Sequence, residues 1–222
     1  MKQVGPGRPR LEQRRRRGQT ARAEILDAAA ELFTANGYGN TSTRAVADAV
    51  GIRQASLYHH FAAKDDILEA LLADTIAIPL LLSQRLLASG GPAAPRLYAL
   101  AWYDVWQLCT SRWNVAALYV LPELRTERFA GFRLRRDELR RHYRTLAAAV
   151  VIEVGSGGVP VAVDLPFRLV ETVINVRSDD GADPASAVHE VPEGALRMLG
   201  WPDPASVRAA ARALLIDSGI EL

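Results

Sequence analysis

The chain has 222 residues, a formal net charge of +2 and 49% hydrophobic residues, which is enough for one large domain or a small domain joined to a larger one. Charged residues interrupt every apolar stretch before the roughly 18 residues that a membrane helix needs, and the N-terminus lacks the apolar segment of a secretory signal, so we expect a soluble, cytoplasmic protein. The single cysteine, Cys109, excludes an internal disulfide, and no Cys or His cluster suggests a bound metal, so neither a metal nor a cofactor is expected.

The N-terminal end of the chain is basic. Residues 1–64 hold eleven Lys and Arg residues against five acidic residues, whereas residues 65–222 hold sixteen against twenty. Residues 1–19 combine Gly, Pro and Arg without an apolar stripe, which predicts a disordered arm. Such an arm can reach DNA phosphates or a narrow minor groove, although a solubilising tail has the same composition.

Three short helices are predicted after this arm. An apolar stripe of helical spacing begins at Thr20 and stops at Gly37, a residue type that readily adopts the left-handed conformation found after helices. A second helix begins at a cap provided by Ser42 or Thr43 and ends at Gly51. The third helix follows within a few residues. Two short helices joined by a turn that contains glycine indicate a helix-turn-helix.

The third helix carries apolar Leu57 and Phe61 four residues apart, which gives it a buried stripe. Its remaining positions differ from the Glu and Lys pairs of an ordinary solvated helix. They offer side chains that can bond base edges, phosphates or a thymine methyl group, namely Arg53, Gln54, Ala55, Ser56, Tyr58 and His59. For His60, packing beside Phe61 and contact with DNA are both open.

The string TSTRAVADAVGIRQASLYHHFAAKDDILEALL closely resembles the DNA-binding domain of the TetR family of bacterial regulators, and the resemblance extends from about residue 20 to residue 72. It implies that the third helix enters the major groove, that the second contacts the backbone and that the fourth leads to a regulatory domain. By matching positions, it implies DNA contacts from Thr43, Arg44, Gln54, Ala55, Ser56, Tyr58, His59 or His60, and Lys64. The contact from Arg53 is inferred from its chemistry alone, because a small or polar residue is frequent there.

Helical patterns continue through the rest of the chain. One runs from Asp65 towards Pro79, a linker follows at 89–95, and a loop is predicted at 155–164. Further helices are predicted at about 96–110, 113–121, 123–129, 131–154, 166–177 and 188–199, and from Pro204 after a cap at Asp203. The prediction is therefore an all-α chain with a disordered arm at 1–19, a helix-turn-helix domain at 20–64 and a larger effector-binding and dimerisation domain at 65–222.

A homodimer is expected because a single short recognition helix reads only a few base pairs. The resembled family dimerises through an antiparallel helix pair near the C-terminus. On this basis the predicted interface consists of Phe167, Leu169, Val170, Val173, Ile174, Leu196 and Leu199, although burial in the core of one chain explains the same apolar residues.

Aromatic residues concentrate in one part of the larger domain. Residues alone favour ordinary core packing there, whereas the family resemblance implies a cavity for a small hydrophobic or amphipathic effector. The candidate ligand-binding residues are Trp102, Tyr103, Trp106, Cys109, Trp113, Tyr119, Phe129, Phe132 and His142. Because the sequence has no nucleophile elbow or phosphate-binding loop, an enzyme is not expected. The sequence predicts a regulator, and most simply a repressor, that binds a palindromic double-stranded operator and is released by the effector; the alternative is a DNA-binding regulator or architectural protein without an effector.

Overall fold

The computed structural model of the chain describes residues 19–155, 163–179 and 184–220. These residues form helices and turns, and no β-strand occurs among them, which confirms the all-α prediction. The predicted basic arm, apart from Gln19, and the greater part of the predicted loop at 155–164 lie outside the described residues.

The chain divides into two compact units, the first ending at Leu68 and the second beginning at Glu69. The first contains α1 (Ala21–Asn36), α2 (Thr43–Val50), α3 (Gln54–Tyr58) and the start of α4 (Lys64–Ala88). Its core is formed by apolar side chains from all four helices and from the turn after α3, including Ile25, Phe33, Val46, Leu57, Phe61 and Ile67.

Local sequence signals set the ends of α1 and α2. The Thr20 hydroxyl accepts a hydrogen bond from the Ala23 amide at 3.2 Å, and the Ser42 hydroxyl accepts one from the Ala45 amide at 3.0 Å. Ser42, one of the two predicted caps, is therefore the cap of α2. Gly51 adopts the left-handed conformation, with φ of 76°, and ends the helix.

Helix α4 continues past Pro79, towards which the predicted stripe ran, and ends only at Ala88. Proline has no backbone N–H, so the carbonyl of Thr75, four residues earlier, lacks its usual helical donor. The side-chain amide of Gln107 donates to this carbonyl at 2.7 Å. Tertiary structure thus replaces the bond that the proline removes.

The second unit is built around α5 (Ala93–Thr110), which packs against α6 (Ala130–Val154), α7 (Leu165–Val176), α8 (Pro184–Met198) and α9 (Arg208–Asp217). Most of the α5 side chains are buried, because neighbours cover this helix on several sides. No helix in the described parts of the chain is long and apolar enough to cross a membrane.

The segment between α5 and α6 differs from the sequence prediction. In place of helices at 113–121 and 123–129, it forms short 3₁₀ turns at Val115–Val120, Pro122–Arg125 and Glu127–Phe129. The residue before a proline is disfavoured in the helical region, and Leu121 accordingly has ψ of 132°. Near the C-terminus, Asp203 makes no side-chain cap bond, and a 3₁₀ turn at Pro204–Val207 precedes α9.

Candidate DNA interface and effector cavities

Three polar side chains join the start of α2 to α3, of which Gln54 and Tyr58 are exposed and Thr43 is half-buried. The side-chain amide of Gln54 donates to the Thr43 hydroxyl at 3.0 Å, and the Thr43 and Tyr58 hydroxyls lie 3.1 Å apart. We call Thr43, Gln54 and Tyr58 the recognition triad. Tyr58 is 47% exposed, so its ring is not part of the core of this unit. The triad therefore presents hydroxyl and amide groups to an external partner.

The other predicted DNA-contacting residues of α2 and α3 lie around this triad. Arg44 is exposed and forms only a solvated ion pair with Asp48, with 4.0 Å between their nitrogen and oxygen atoms. Arg53 occupies the N-cap position of α3. Apart from Ser56, which is half-buried, the remaining members are exposed, namely Arg53, Ala55, His59 and His60. His60 does not pack with the buried ring of Phe61 in the core, so both histidines are available to a partner.

Lys64 has a structural role that the sequence did not reveal. Its ammonium group donates to the carbonyls of Tyr38 at 2.9 Å and Thr41 at 3.0 Å, and it lies 4.1 Å from the centre of the Tyr38 ring. The Tyr38 hydroxyl in turn donates to the carboxylate of Asp65. Lys64 thus holds the turn that precedes α2, and only part of its donor capacity is left for a phosphate.

The nine residues predicted to bind a ligand differ in their positions within the second unit. Trp102 and Trp113 line two separate cavities of the second unit, which are described below. Phe129 and Phe132 are buried in the core, and Tyr103 is buried against Trp106 with 5.5 Å between ring centres. The Cys109 side chain is half-buried. Ligand binding by these nine residues stays a prediction.

The first cavity, here the α4 cavity, has a volume of about 340 Å³ and lies between α4, α5, the 3₁₀ segment and α7. Its lining contains Gln107 and Thr75, which are joined by the bond that Pro79 makes possible. The guanidinium of Arg177 donates to the carbonyls of Leu108 and Ser111. The complete lining is Leu71, Asp74, Thr75, Gln107, Leu108, Ser111, Trp113, Val115, Ala116 and Arg177.

Tyr119 is in contact with both Thr75 and Arg136. Its hydroxyl lies 2.5 Å from the Thr75 hydroxyl, and burial raises its pKa. The guanidinium of Arg136 lies 5.1 Å from the Tyr119 ring centre and forms an ion pair with Glu171. These contacts connect α4, the 3₁₀ segment, α6 and α7 through polar groups.

A buried carboxyl group lies in the same part of the second unit. The Tyr143 hydroxyl donates to Asp104 at 3.0 Å, and both residues are buried. Burial raises the pKa of Asp104 to about 7, although the hydrogen bond from Tyr143 lowers it. The sequence did not reveal this pair, because its members are far apart along the chain and neither belongs to a local motif.

The second cavity, here the C-terminal cavity, also has a volume of about 340 Å³. It is formed by α5, α8 and α9, and its lining is Tyr98, Trp102, His189, Arg208, Ala211, Arg212 and Leu215. It shares no lining residue with the α4 cavity.

His142 takes part in a cluster that superficially resembles a hydrolase triad. Its Nδ1 atom lies 2.7 Å from the Ser83 hydroxyl, and its Nε2 atom lies 3.9 Å from Glu138. Ser83 is fully buried, and its hydroxyl also lies 2.7 Å from the Leu80 carbonyl, so the serine of this cluster has no access to a substrate. Among the described residues, no group of His, Cys, Asp and Glu could hold a metal ion.

The structure buries most of the predicted dimer residues inside one chain. Phe167, Val170, Val173, Leu196 and Leu199 are at most 4% exposed, so they have almost no surface to offer a second copy. Leu169 and Ile174 are half-buried. On the same two helices, Leu165 and Met198 are exposed. A Cβ atom added at Gly194 would lie 3.3 Å from the Leu169 side chain, which shows how closely α7 and α8 approach.

Comparisons with known proteins agree with the resemblance of the DNA-binding unit. A family model described as bacterial regulatory proteins, tetR family, matches residues 25–71. A curated relative, the HTH-type transcriptional repressor KstR2 of Rhodococcus jostii, is 31% identical over 155 residues, which cover 67% of this chain and 74% of the relative.

Solved structures extend the similarity to both units. The AmtR protein of Mycobacterium smegmatis is 62% identical, with a TM-score of 0.86, and the match covers 94% of this chain and 99% of AmtR. The fold is also similar to that of AibR, whose structure is a complex with isovaleryl coenzyme A and operator DNA. That match has 19% identity and a TM-score of 0.62, and it covers 82% of this chain and 99% of AibR.

Proposed function

Since the chain belongs to the TetR family of bacterial regulators and is a DNA-binding transcriptional regulator, we propose that it represses its targets as a homodimer on a palindromic operator until a small-molecule effector releases it. The observation that carries this proposal is the recognition triad, in which the exposed Gln54 and Tyr58 bond to the half-buried Thr43 at the start of α2. A cytoplasmic location follows from the proposed partner, because bacterial operators lie there.

In the proposed complex, α3 lies in the major groove. Gln54 reads an adenine edge, for which its amide is suited as a paired donor and acceptor, and Tyr58 and Thr43 contact bases or phosphates. Arg44 contributes a phosphate contact, because its solvated pair with Asp48 is readily exchanged for DNA. Arg53, Ala55, Ser56, His59 and His60 complete the predicted interface.

We assign Lys64 mainly to the stability of the turn before α2. Two of its three ammonium protons already bond to backbone carbonyls, so a phosphate can engage it only in addition to that role.

For the dimer, we propose an interface on the outer faces of α7 and α8 in place of the buried residues. The two helices pack together and are joined by a short connection, so we infer that they run antiparallel. With Leu169 opposite Gly194, this register brings Leu165 to the level of Met198 and forms one exposed apolar patch.

Sedimentation of charged variants tests this interface. Leu165→Glu and Leu169→Glu should shift the protein from dimer to monomer, because each places a charge in a buried apolar contact. Ile216→Glu, at a 63% exposed position of α9, is the matched control and should stay dimeric. A dimeric Leu169→Glu variant would place the interface elsewhere.

We assign the effector to the α4 cavity. Helix α4 starts in the DNA-binding unit at Lys64 and continues along this cavity, which it lines with Leu71, Asp74 and Thr75. An effector that accepts from the side-chain amide of Gln107 would compete with the Thr75 carbonyl, which then loses the donor that replaces the missing N–H of Pro79. Release from DNA then requires only that the effector prefer the state with the lower DNA affinity. The complex of AibR supports a chain of this fold binding a ligand as well as DNA.

Catalysis is not part of the proposed function. A nucleophile must reach its substrate, and Ser83, which bonds to His142, is fully buried.

The test is selection of bound sequences from random duplex DNA, followed by a small-molecule screen for release of the selected site. We expect a palindromic sequence whose half-sites lie about one helical turn apart. Failure to enrich any site would contradict the proposed DNA recognition. A site that no compound releases would instead favour the alternative of a regulator without an effector.

A further inference from the structure

The C-terminal cavity has an aromatic wall that the proposed function does not use. The Trp102 ring is parallel to the Trp106 ring within 6°, with 6.1 Å between their centres. The His189 ring lies 6.4 Å from Trp102, and its Nδ1 atom is bonded to the buried Tyr98 hydroxyl at 3.0 Å. This bond restrains the imidazole beside the indole. The lining of the cavity therefore includes two restrained aromatic rings, inclined to each other by 46°, against which a planar group can pack.

One face of α9 forms the opposite wall. Arg208, Ala211, Arg212 and Leu215 recur at helical spacing and all line the cavity. Ala211 and Leu215 supply apolar surface, and Ala211 also leaves room because its side chain is small. The cavity volume of about 340 Å³ lies at the lower end of the range for small-molecule sites, which indicates a compact ligand.

Of the two arginines that line the cavity, Arg208 forms an ion pair within the described part of the chain and Arg212 does not. Arg208 donates to Glu193 through its Nε atom at 2.8 Å, and Arg197 donates to the same carboxylate at 2.9 Å. Arg212 forms no ion pair with any residue that the structure describes. None of the seven lining residues is acidic. An anion in this cavity would therefore meet an uncompensated guanidinium and no opposing carboxylate.

We propose that the C-terminal cavity is a second ligand site, separate from the α4 cavity, that takes a compact planar aromatic carboxylate. The ring of the ligand lies against Trp102 and His189, and its carboxylate pairs with Arg212. This assignment uses the three properties of the cavity together: oriented rings, a short apolar wall and one uncompensated cation. Arg208 supports the site by keeping Glu193 occupied, so that this carboxylate does not compete for Arg212.

Calorimetric titration of the full chain with 2-naphthoate tests the proposal, and 2-naphthamide serves as the uncharged probe of nearly equal shape. We expect 2-naphthoate to bind the parent protein and Arg212→Gln to weaken that binding at least about tenfold, because a charge-assisted bond is lost. The affinity for 2-naphthamide should be the same in both proteins. Arg135→Gln, which removes an exposed arginine of α6 outside the cavity, is the matched control and should bind 2-naphthoate like the parent.

The aromatic wall is tested separately with Trp102→Leu, and His189→Leu at an exposed position gives the same readout if the first variant fails to fold. Either change should weaken both probes. Trp113→Leu, which alters the α4 cavity, should leave 2-naphthoate binding unchanged. The titration contains no DNA, so its outcome is independent of the proposed repressor function.

Three results would overturn the proposal. They are the absence of 2-naphthoate binding to the parent, loss of binding in Trp113→Leu with retention in Trp102→Leu, and equal binding to the parent and Arg212→Gln. Sedimentation of Arg212→Gln and Trp102→Leu should show the parent's oligomeric state. A change in that state with unaltered 2-naphthoate binding would identify this surface as a protein interface instead.

Discussion

The two units of the chain place their polar groups in opposite ways. In the DNA-binding unit, the recognition triad and the neighbouring arginines are exposed, apart from the half-buried Thr43, and come from two helices that are close together in the chain. In the second unit, Asp104, Tyr143 and the Arg136–Glu171 pair are buried or partly buried and come from elements far apart in the chain. Exposed polar side chains can be substituted with little effect on stability. Substitution of a buried polar group in the second unit, in contrast, changes the free energy of folding.

The largest effect is expected at Asp104, whose folded-state pKa of about 7 exceeds the ordinary value of 3.8. The protonated folded form therefore stabilises the protein fully below pH 3.8, and this contribution is lost as the pH rises to about 7. Asp104→Asn keeps the shape of the protonated carboxyl and removes the titration. We expect the unfolding free energy of the variant, relative to that of the parent, to rise by about 3 kcal/mol between pH 5 and pH 8.

Urea denaturation of the parent and Asp104→Asn at both pH values measures this difference, and the comparison cancels other titrating groups. Tyr143→Phe is a useful second variant, because it removes the hydrogen bond that lowers the pKa of Asp104 and should steepen the pH dependence. A constant difference between the parent and Asp104→Asn would show that the carboxyl is not protonated near neutral pH.

A smaller loss is expected when the ion pair of the second unit is broken. Glu171 accepts from both Arg136 and Arg168, and Glu171→Gln leaves two guanidinium groups without their carboxylate. We expect unfolding to become easier by about 2 kcal/mol in chemical denaturation, with no change in operator affinity while the protein is folded. Asp48→Asn, which breaks the exposed pair with Arg44, is the control and should change stability by less than about 0.5 kcal/mol. Equal losses in the two variants would remove the contrast between the units.

The reverse pattern is expected for Gln54→Ala. Operator affinity should fall about tenfold in fluorescence anisotropy, because a base contact is lost, and unfolding free energy should stay within about 0.5 kcal/mol of the parent. Affinity for a scrambled duplex is the internal control and should change much less. If both duplexes lose affinity equally, Gln54 contacts the backbone and does not read a base.

The smallest effect is expected at Lys64. Lys64→Met should cost about 1 kcal/mol of stability, because the carbonyls of Tyr38 and Thr41 lose their donor. The slope of log K against log salt should remain that of the parent. Arg44→Gln should instead reduce the magnitude of this slope by about 1 and leave stability unchanged. A reduced slope in Lys64→Met would assign Lys64 to the DNA contacts as well.

The contrast between the two units also explains how much of each could be predicted from the sequence. The ends of α1 and α2 were predictable because Thr20, Ser42 and Gly51 act on atoms a few residues away. The course of α4 beyond Pro79 was not, since it depends on Gln107 from another helix. Similarly, the residues near Asp104 in the sequence do not indicate that it bonds to Tyr143. The helical periodicity of Val170 and Val173 is the same for a core position and for an interface position, so it could not show that both are buried in the core. The triad was predicted as a set of DNA contacts, but its internal bonds were not.

Those internal bonds have a consequence for how the protein searches DNA. Away from its operator, Gln54 keeps the Thr43 hydroxyl as an acceptor for its amide, so a mismatched base does not leave that donor unsatisfied. This lowers the free-energy penalty of binding to a non-operator sequence. It also reduces the variation in binding free energy from one sequence to the next while the protein slides along DNA. In the proposed complex with the operator, the adenine edge must outcompete the Thr43 hydroxyl for the Gln54 amide before this contact adds any affinity. The share of sequence discrimination that the proposal assigns to Gln54 is thus the difference in strength between its bond to adenine and its bond to Thr43.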